Sequence, residues 1–263
     1  NFTLFFAVLL ISSIGFAQET EATQEKPQGH YNISKFRQLK QELPTPNTYR
    51  TASGAPGHEY YQQKADYKMD IILDDENQRI YGEEVITYFN YSPDNLEYLW
   101  VQLDQNIRAP DAITADVKGS GASTMYNPKK FTEEFLGKPF PGGFHIDYVK
   151  NTEDGDMDYT VNGTMMRIDL PKVLNSGENV SFKIKWWYNI PNHVIDGGRS
   201  GFEHFDGDGN NNYVIAQFFP RMAVYNDVEG WQNLQFLGRG EFALVFGDYE
   251  VNITTPEDHI LDG

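Results

Sequence analysis

The middle of the chain alternates between apolar and polar residues, a pattern that predicts β-strands. Runs of this kind cover residues 65–73, 80–90 and 96–103, and polar turns separate them at 74–77 and 92–95. Because tight turns join neighbouring antiparallel strands, we expect the three runs to form an antiparallel meander.

The second of these runs has two clearly different faces. Glu84, Ile86 and Tyr88 fall on one side of the predicted strand. Val85, Thr87 and Phe89 fall on the other side. Successive side chains of a strand point to opposite faces, so one of these two sets should face the core.

Six further segments have the length and composition of strands. They are residues 144–149, 164–170, 180–188, 213–219, 241–246 and 249–254. We expect 171–177 to link two of them, and Gly247 with Asp248 to form a hairpin turn. Glycine-rich and proline-rich pieces between 109 and 158 predict excursion loops. The whole pattern predicts an all-β protein, a β-sandwich or an open barrel with little helix.

The first 17 residues have the character of a signal peptide. Their apolar run is shorter than the roughly 20 residues of a membrane-spanning helix, and Gly15 and Ala17 are the small residues that signal peptidase requires. The basic start of such a segment and its initiator Met are missing, so we expect the chain to begin inside it. The alternative is a buried amphipathic helix at 1–17.

Residues 18–60 are predicted to be a flexible segment that contains one short helix. Ser34 is a plausible N-cap, and apolar residues recur on one face up to Leu43. Pro44 and Pro46 would end this helix. No other run in the chain approaches the length needed to cross a membrane.

Composition narrows the possible environments and partners. The net charge is −17, from 38 acidic and 21 basic residues, which repels phosphate backbones and excludes nucleic acid as an expected partner. The acidity serves solubility or, alternatively, attracts cationic ligands. There are no cysteines, so an exported protein of this composition fits the bacterial periplasm, the cell surface or the medium.

No hydrolytic centre is visible in the sequence. The six histidines include no His-Glu-x-x-His pair, which would place two zinc ligands on one face of a helix. His58 and Glu59 begin that motif, but no second histidine follows at the required spacing. We therefore expect no metal ligands and no catalytic residues within this chain. Gly-x-Ser-x-Gly is also absent, and Ser200 is expected to be structural.

Two acidic features have competing explanations. Residues 206–212 alternate acidic or amide side chains with glycines, as calcium loops do. Position twelve from Asp206 is Gln217 instead of glutamate, which favours a solvated turn. Adjacent carboxylates occur at 74–75, 83–84 and 133–134. Because the chain is so acidic, we expect these pairs to lie on solvated faces.

Residues 215–231, with the sequence IAQFFPRMAVYNDVEGW, are the most distinctive part of the chain. Together with GEF at 240–242, GDYEVNITTP at 247–256 and the strands that begin ADYKMDIIL and GEEVIT, this segment resembles the aminopeptidase N family of zinc metallopeptidases. The closest likeness is to an exported bacterial branch with the Gly-Trp variant of the segment. The resemblance extends over roughly residues 33–263.

The resemblance implies a division of labour between two domains. Residues 61–257 would be a saddle-like β domain, and 258–263 would begin the junction to a metallopeptidase domain outside this chain. That domain would carry zinc, the His-Glu-x-x-His motif and the glutamate that acts as general base for the zinc-activated water. The implied partner is a peptide whose amino-terminal residue is removed.

One substrate-binding residue is implied by the resemblance. Gln217 matches a family glutamine that lines the pocket for the first substrate side chain, although it could instead cap strand ends. Many relatives have a glutamate two positions later to hold the substrate amine, where this chain has Phe219. Residues 224–230 also depart from the family's Phe-Pro-x-x-Asp-Glu-Pro. Arg221 is expected to be an interface or core residue, as are the aromatic residues at 225 and 231.

Two functional hypotheses follow. The first is the substrate-capping β domain of an exported zinc aminopeptidase, inactive without its catalytic domain. The second is an autonomous, secreted β-sandwich module that binds a glycan or a protein.

Overall fold

The computed structural model describes residues 46–113, 128, 140–196, 199–207, 209–238 and 243–262. The predicted signal segment 1–17 and helix 34–43 lie outside the described residues. So does most of 109–140, the first part of the excursion predicted between 109 and 158. Within the described part, no helix has the length and apolarity to cross a membrane.

The described residues form thirteen strands and very little helix. A 3-10 helix covers Asp104–Arg108, and α1 covers His193–Asp196. The strands are β1 Lys64–Asp74, β2 Arg79–Phe89, β3 Leu96–Gln102, β4 His145–Asn151, β5 Tyr159–Asn162, β6 Met165–Leu174, β7 Asn179–Asn189, β8 Gly201–Phe205, β9 Asn210–Val214, β10 Arg221–Met222, β11 Tyr225–Asn226, β12 Gly230–Trp231 and β13 Tyr249–Thr254.

Two open sheets organise these strands. The larger sheet has the order β13-β1-β2-β7-β4, and the smaller has the order β10-β3-β6-β5. All pairs are antiparallel except β13, which runs parallel to β1. Two-stranded pairs β8-β9 and β11-β12 complete the fold. The prediction of an all-β fold is confirmed, with open sheets.

Alternation explains why the larger sheet forms. Along β1, β2 and β7 every second residue is buried, and the buried set carries most of the core. Ile86, Phe182 and Ile184 are fully buried, and burying each such side chain contributes roughly 1.5–3 kcal/mol. The strand predictions at 65–73, 80–90 and 180–188 are therefore confirmed, with each end shifted by one residue.

The predicted meander is wrong in its third strand. Strand β2 pairs with β7, whereas β3 lies in the smaller sheet beside β6 and β10. The connection 90–95 crosses between sheets, and it is fixed by buried Asn90, whose Nδ2 donates to the carbonyls of Asp94 and Leu174. A tight turn in sequence had suggested neighbours in one sheet, but the side-chain bonds of Asn90 anchor a crossover instead.

Three predicted boundaries also change. Strand β9 ends at Val214, so the predicted strand 213–219 is mostly irregular. Strand β6 continues through Pro171 to Leu174, which shortens the predicted link 171–177. Of the predicted strand 241–246, residues 241–242 lie outside the described residues, and only Phe246 forms a β-bridge.

Gly247 and Asp248 do not form the predicted hairpin. Phe246 bridges Lys64, and Tyr249 pairs with Tyr67, so the chain runs straight along β1. A side chain at Gly247 would come within 1.6 Å of the Ala65 carbonyl oxygen. Glycine is therefore needed here for close approach between strands rather than for reversal of the chain.

Candidate functional site

Residues 215–220 connect β9 to β10 as an irregular segment that includes the predicted substrate residue. Gln217 is half-buried and has φ +53°, the left-handed conformation that a residue with a side chain adopts at a cost. Such strained positions cluster at functional sites when the surroundings hold them in place. The structure thus places Gln217 in an irregular segment rather than in a strand.

Hydrogen bonds hold this segment from both sides. The buried Ser200 hydroxyl donates to the Ala216 carbonyl at 2.9 Å and accepts the Ala216 N–H at 2.8 Å. Gln105 Nε2, from the 3-10 helix, donates to the carbonyls of Ala216 at 2.8 Å and Gln217 at 3.1 Å. Ser200 is therefore structural, as predicted, and the backbone at Gln217 is held firmly while its side chain forms none of these bonds.

Four aromatic residues form a group that we call the aromatic cluster: Tyr67, Phe218, Phe219 and Tyr249, of which Phe218 and Phe219 directly follow Gln217 in the chain. Tyr67 and Tyr249 are stacked with ring centres 4.9 Å apart, and Phe219 packs edge-on against both. The Tyr67 hydroxyl accepts the Met222 N–H at 2.9 Å, and burial raises the pKa of Tyr67 well above its usual value. The cluster joins the two sheets at this end of the sandwich.

Arg221 and Asp104 form a buried ion pair directly after the cluster. Arg221 Nη2 lies 2.5 Å from Asp104 Oδ2, and the two side chains are 12% and 1% exposed. Arg221 opens β10, and Asp104 opens the 3-10 helix that also supplies Gln105. The sequence had suggested a supporting role for Arg221, and the ion pair shows how that support is provided.

The carboxylate pair at 83–84 corrects the prediction that such pairs are solvated. Glu83 is exposed and accepts the Tyr148 hydroxyl at 2.8 Å, but Glu84 is fully buried. Neither Glu84 oxygen has a hydrogen-bond partner among the described residues. Burial raises the pKa of Glu84 well above its usual value, and the nearby indole of Trp186 lowers it only in part. The alternation of β2 had already placed Glu84 with Ile86 and Tyr88.

The carboxylate pair at 74–75 was also predicted to be solvated, but it lies in a turn where Asp75 accepts two hydrogen bonds. Asp75 Oδ1 accepts the Tyr213 hydroxyl at 2.6 Å and Asn211 Nδ2 at 2.8 Å. Both hydrogen bonds lower the pKa of Asp75, and the bond from the Tyr213 hydroxyl has the larger effect. Carboxylates 133–134 lie outside the described residues.

An apolar stripe on β13 extends from the aromatic cluster. Tyr249, Val251 and Ile253 pair with the buried residues of β1 and lie on the same, core-facing side of the sheet. They are nevertheless 48%, 40% and 45% exposed, because no described strand of the smaller sheet covers β13. We call these three residues the β13 stripe. No sequence signal distinguished them from ordinary core residues.

Aromatic residues 225 and 231 are supports, as the sequence suggested. The Tyr225 hydroxyl donates to Asp94 Oδ2 at 2.7 Å, and the Tyr225 ring packs edge-on against Trp231. Burial raises the pKa of Tyr225, and the bond to Asp94 adds to this effect.

Among the described residues, no group of three or more histidines and carboxylates is arranged to hold a metal ion. His204, one of the six histidines, forms a hydrogen bond with Asn211 at 2.8 Å. The candidate calcium loop 206–212 includes residue 208, which lies outside the described residues.

Comparison with known proteins gives structural matches alone. No protein-family model and no curated protein matches the chain. Similar solved structures include a two-domain M1 zinc metallopeptidase variant bound to L-tryptophan (TM-score 0.36, 10% identity, 77% of this chain and 35% of that chain). The M1 zinc metallopeptidase from Deinococcus radiodurans gives a TM-score of 0.35 at 9% identity, over 77% of this chain and 34% of that one.

A variant of the Deinococcus radiodurans enzyme bound to a Tyr-Ser-Ala substrate gives a TM-score of 0.34 at 10% identity. The chain covers only about a third of the length of each of these structures. They are M1 zinc metallopeptidases, the family that the sequence segments resemble.

Proposed function

We propose that this chain is the substrate-capping β domain of an exported zinc aminopeptidase. In this proposal the domain supplies one wall of the pocket for the amino-terminal residue of a peptide, and Gln217 is its substrate-binding residue. Zinc and the residues that activate water belong to a metallopeptidase domain outside this chain. The chain by itself is then inactive.

The observation that supports this proposal most strongly is the position of Gln217. Its backbone is held in a left-handed conformation by Ser200 and Gln105. Two residues further on, Phe219 contacts Tyr249, the first residue of the β13 stripe. Strained, firmly held residues cluster at functional sites, and ligand sites occur preferentially at interfaces between domains.

The β13 stripe supports the presence of a covering domain. Apolar side chains that face the core side of a sheet are normally buried against a second layer. Exposed apolar patches mark sites of protein–protein contact. We propose that the metallopeptidase domain covers the stripe and places Gln217 at the edge of its pocket.

The test compares this chain with a longer protein that continues past residue 263 through the next 300 or so residues of its coding sequence. Both are assayed with a panel of amino acid 4-nitroanilides, with and without a zinc chelator. We expect turnover only from the longer protein, and loss of that turnover with the chelator. In the longer protein Gln217→Ala should lower kcat/KM by about tenfold or more, whereas the same change at Gln62, an exposed glutamine just before β1, should leave it unchanged.

Turnover by the short chain would show that it contains a catalytic site that the residues above do not reveal. The absence of turnover from both proteins would favour the second hypothesis, an autonomous binding module. A stop codon directly after residue 263 in the natural coding sequence would have the same meaning.

One observation favours that second hypothesis. The outer face of the larger sheet carries a row of side chains that crosses four strands at one register, formed by Ile72, Tyr81, Trp187 and His145. His145 stacks on Trp187 with ring centres 3.9 Å apart, and Arg79 lies 4.7 Å from the Trp187 ring centre. Since these neighbours occupy the Trp187 ring, the row would suit a protein partner better than a stacked sugar.

We also propose that the protein is exported to the periplasm, the cell surface or the medium. Support comes from the signal-like residues 1–17 and from the absence of cysteine. Fractionation of cells that express the natural gene tests this proposal, and a purely cytoplasmic product would contradict it.

A further inference from the structure

The outer face of the larger sheet carries an aromatic surface that its own contacts hold in place. We call the row that crosses it the outer row, formed by Ile72, Tyr81, Trp187 and His145. Trp187 is held by the stacked ring of His145 at 3.9 Å and by the guanidinium of Arg79 at 4.7 Å. Side chains that are already ordered lose little freedom when they bind a partner.

A row of charged and polar side chains lies beside the outer row on the same face. Its members on β1, β2, β7 and β4 are Asp70, Glu83, Lys185 and Tyr148. Glu83 and Lys185 are both exposed, and the Tyr148 hydroxyl donates to one oxygen of Glu83 at 2.8 Å. In this row the charge is therefore negative on the β2 side and positive on the β7 side.

A two-fold rotation makes the outer face complementary to itself. An axis parallel to the strands, between β2 and β7, sets β2 of one copy against β7 of a second copy. Glu83 then faces Lys185 of the second copy, and Lys185 faces the second copy's Glu83. In the outer row Tyr81 faces Trp187 of the second copy, and such aromatic pairs contribute strongly to interfaces.

The lysines that the rotation brings near one another are compensated. Lys68 would approach Lys150 of the second copy, but Lys68 is paired with Glu250 at 3.0 Å. Lys183 is paired with Asp154 at 2.8 Å. The rotation therefore does not place two unpaired lysines face to face.

The outer face also has the size that a dimer requires. Three of its strands have 11 residues, and β4 and β13 have 7 and 6. With strands about 4.8 Å apart and a rise of about 3.3 Å per residue, the face covers roughly 700 Å². A standard interface takes about 800 Å² from each partner, and sheets pack face to face in this manner in β-sandwiches.

We infer that the outer face is the interface of a homodimer, in which it packs against the same face of a second copy of this chain. Tyr81 and Trp187 provide the apolar contact, and Glu83 with Lys185 fixes the orientation. This inference does not depend on the proposed function, because the outer face is opposite to the core-facing side that carries the β13 stripe.

The experiment measures the monomer–dimer dissociation constant by sedimentation equilibrium. It uses the full product of the natural coding sequence, so that any domain that follows residue 263 is present. We expect the unchanged protein to be a dimer. Glu83→Lys and Lys185→Glu should each raise the dissociation constant by at least about tenfold, because each brings like charges together at both contacts.

An equal mixture of these two variants gives the sharpest result. A dimer with one copy of each pairs opposite charges at both contacts, so the mixture should associate at least as tightly as the unchanged protein. Within each variant chain the attraction between residues 83 and 185 stays lost. Recovery on mixing therefore reports a contact between chains and not a change in the fold of either chain.

Two further variants complete the test. Glu97→Lys makes the same charge change at an exposed position of β3, in the smaller sheet, and should leave the dissociation constant unchanged. Ile72→Ser alters a side chain that is 51% exposed and should weaken the dimer even if the charge variants do not fold. Thermal unfolding reports the fold of every variant.

A protein that stays monomeric at its highest soluble concentration would overturn this inference. So would a dimer that the outer-face variants weaken no more than Glu97→Lys does, or a mixture of folded charge variants that fails to associate. Aminopeptidase turnover by the longer protein is a separate result, so each of these outcomes leaves the proposed function intact.

Discussion

Arg221 and Asp104 join two distant parts of the chain through an ion pair of 2.5 Å that is almost fully shielded from water. Asp104 is held in the 3-10 helix after β3, and Arg221 begins β10, the strand that pairs with β3. The pair therefore fixes the end of the segment that carries Gln217. A buried charge that loses its partner is strongly destabilising.

The first prediction concerns this pair. Asp104→Ala should lower the free energy of unfolding by about 3–5 kcal/mol, since it leaves the Arg221 guanidinium buried without its carboxylate. The double variant Asp104→Leu with Arg221→Met should recover most of that loss, because it removes both charges. Urea denaturation measures both effects. A single variant as stable as the unchanged protein would mean that the pair has no structural role.

The second prediction concerns Gly82, which gives space to the largest core residue. A side chain at Gly82 would meet Trp186 Cζ2 at 2.2 Å, within the indole ring itself. Gly82→Ala should therefore cost about 1–3 kcal/mol of stability, as overpacked cores do. Gly207→Ala is the control, because nothing lies within 4 Å of that position, and its effect should stay within about 0.5 kcal/mol. Equal melting temperatures for the two variants would refute the close packing described here.

The third prediction is a dependence of stability on pH that originates at Glu84. Its pKa is raised in the folded state, so the native protein keeps a proton that the unfolded chain releases above about pH 4.3. Stability is then fully present below that pH and falls as pH rises, by up to about 1.4 kcal/mol per pH unit, until the folded pKa is reached.

Glu84→Gln should remove this slope and make the protein more stable at pH 8 than the unchanged chain. Glu83→Gln changes the exposed neighbour and should leave the slope in place. Urea unfolding between pH 5 and pH 8 measures all three proteins. An identical slope with and without the Glu84 carboxyl would show that the group is not the source.

The fourth prediction separates stability from function at Gln217. Gln217→Gly relieves the left-handed strain and should raise the free energy of unfolding by about 1 kcal/mol. In the longer protein the same variant should lower kcat/KM, because the substrate-binding amide is lost. Gln217→Asn tolerates the same backbone and keeps an amide, so it should retain more activity than the glycine variant. If glycine preserved full turnover, Gln217 would be a structural residue only.

The fifth prediction concerns the β13 stripe. Val251→Ser with Ile253→Ser should leave the melting temperature of this chain nearly unchanged, because both side chains are 40–45% exposed. The same double change should reduce self-association of the isolated chain and weaken its binding to a separately produced metallopeptidase domain. Val161→Ser, on the exposed edge strand β5, serves as control. Light scattering and calorimetric titration are the measurements, and equal binding by all variants would exclude the stripe as the docking surface.

The alternation of side chains determined much of the larger sheet. It located β1, β2 and β7 to within one or two residues, and it placed Glu84 on the same side as Ile86. Because a strand has a period of two, local sequence is sufficient to divide its faces. The same pattern showed that the residues of β13 form a strand, since it too alternates.

Partners that are distant in sequence decided the rest. The hydrogen bonds of Asn90 anchor the crossover that leads β3 into the smaller sheet. Ser200 and Gln105 hold the backbone at Gln217 in an irregular conformation. Strand β13 pairs with β1 in the parallel direction. None of these contacts can be predicted from a local sequence pattern, because each depends on groups that only folding brings together. The sequence by itself determined which residues are strands and which face is apolar, since both follow from neighbouring residues. Only the tertiary structure decided which strands pair and which apolar residues stay uncovered, since hydrogen bonding and burial require the other sheet to be in place.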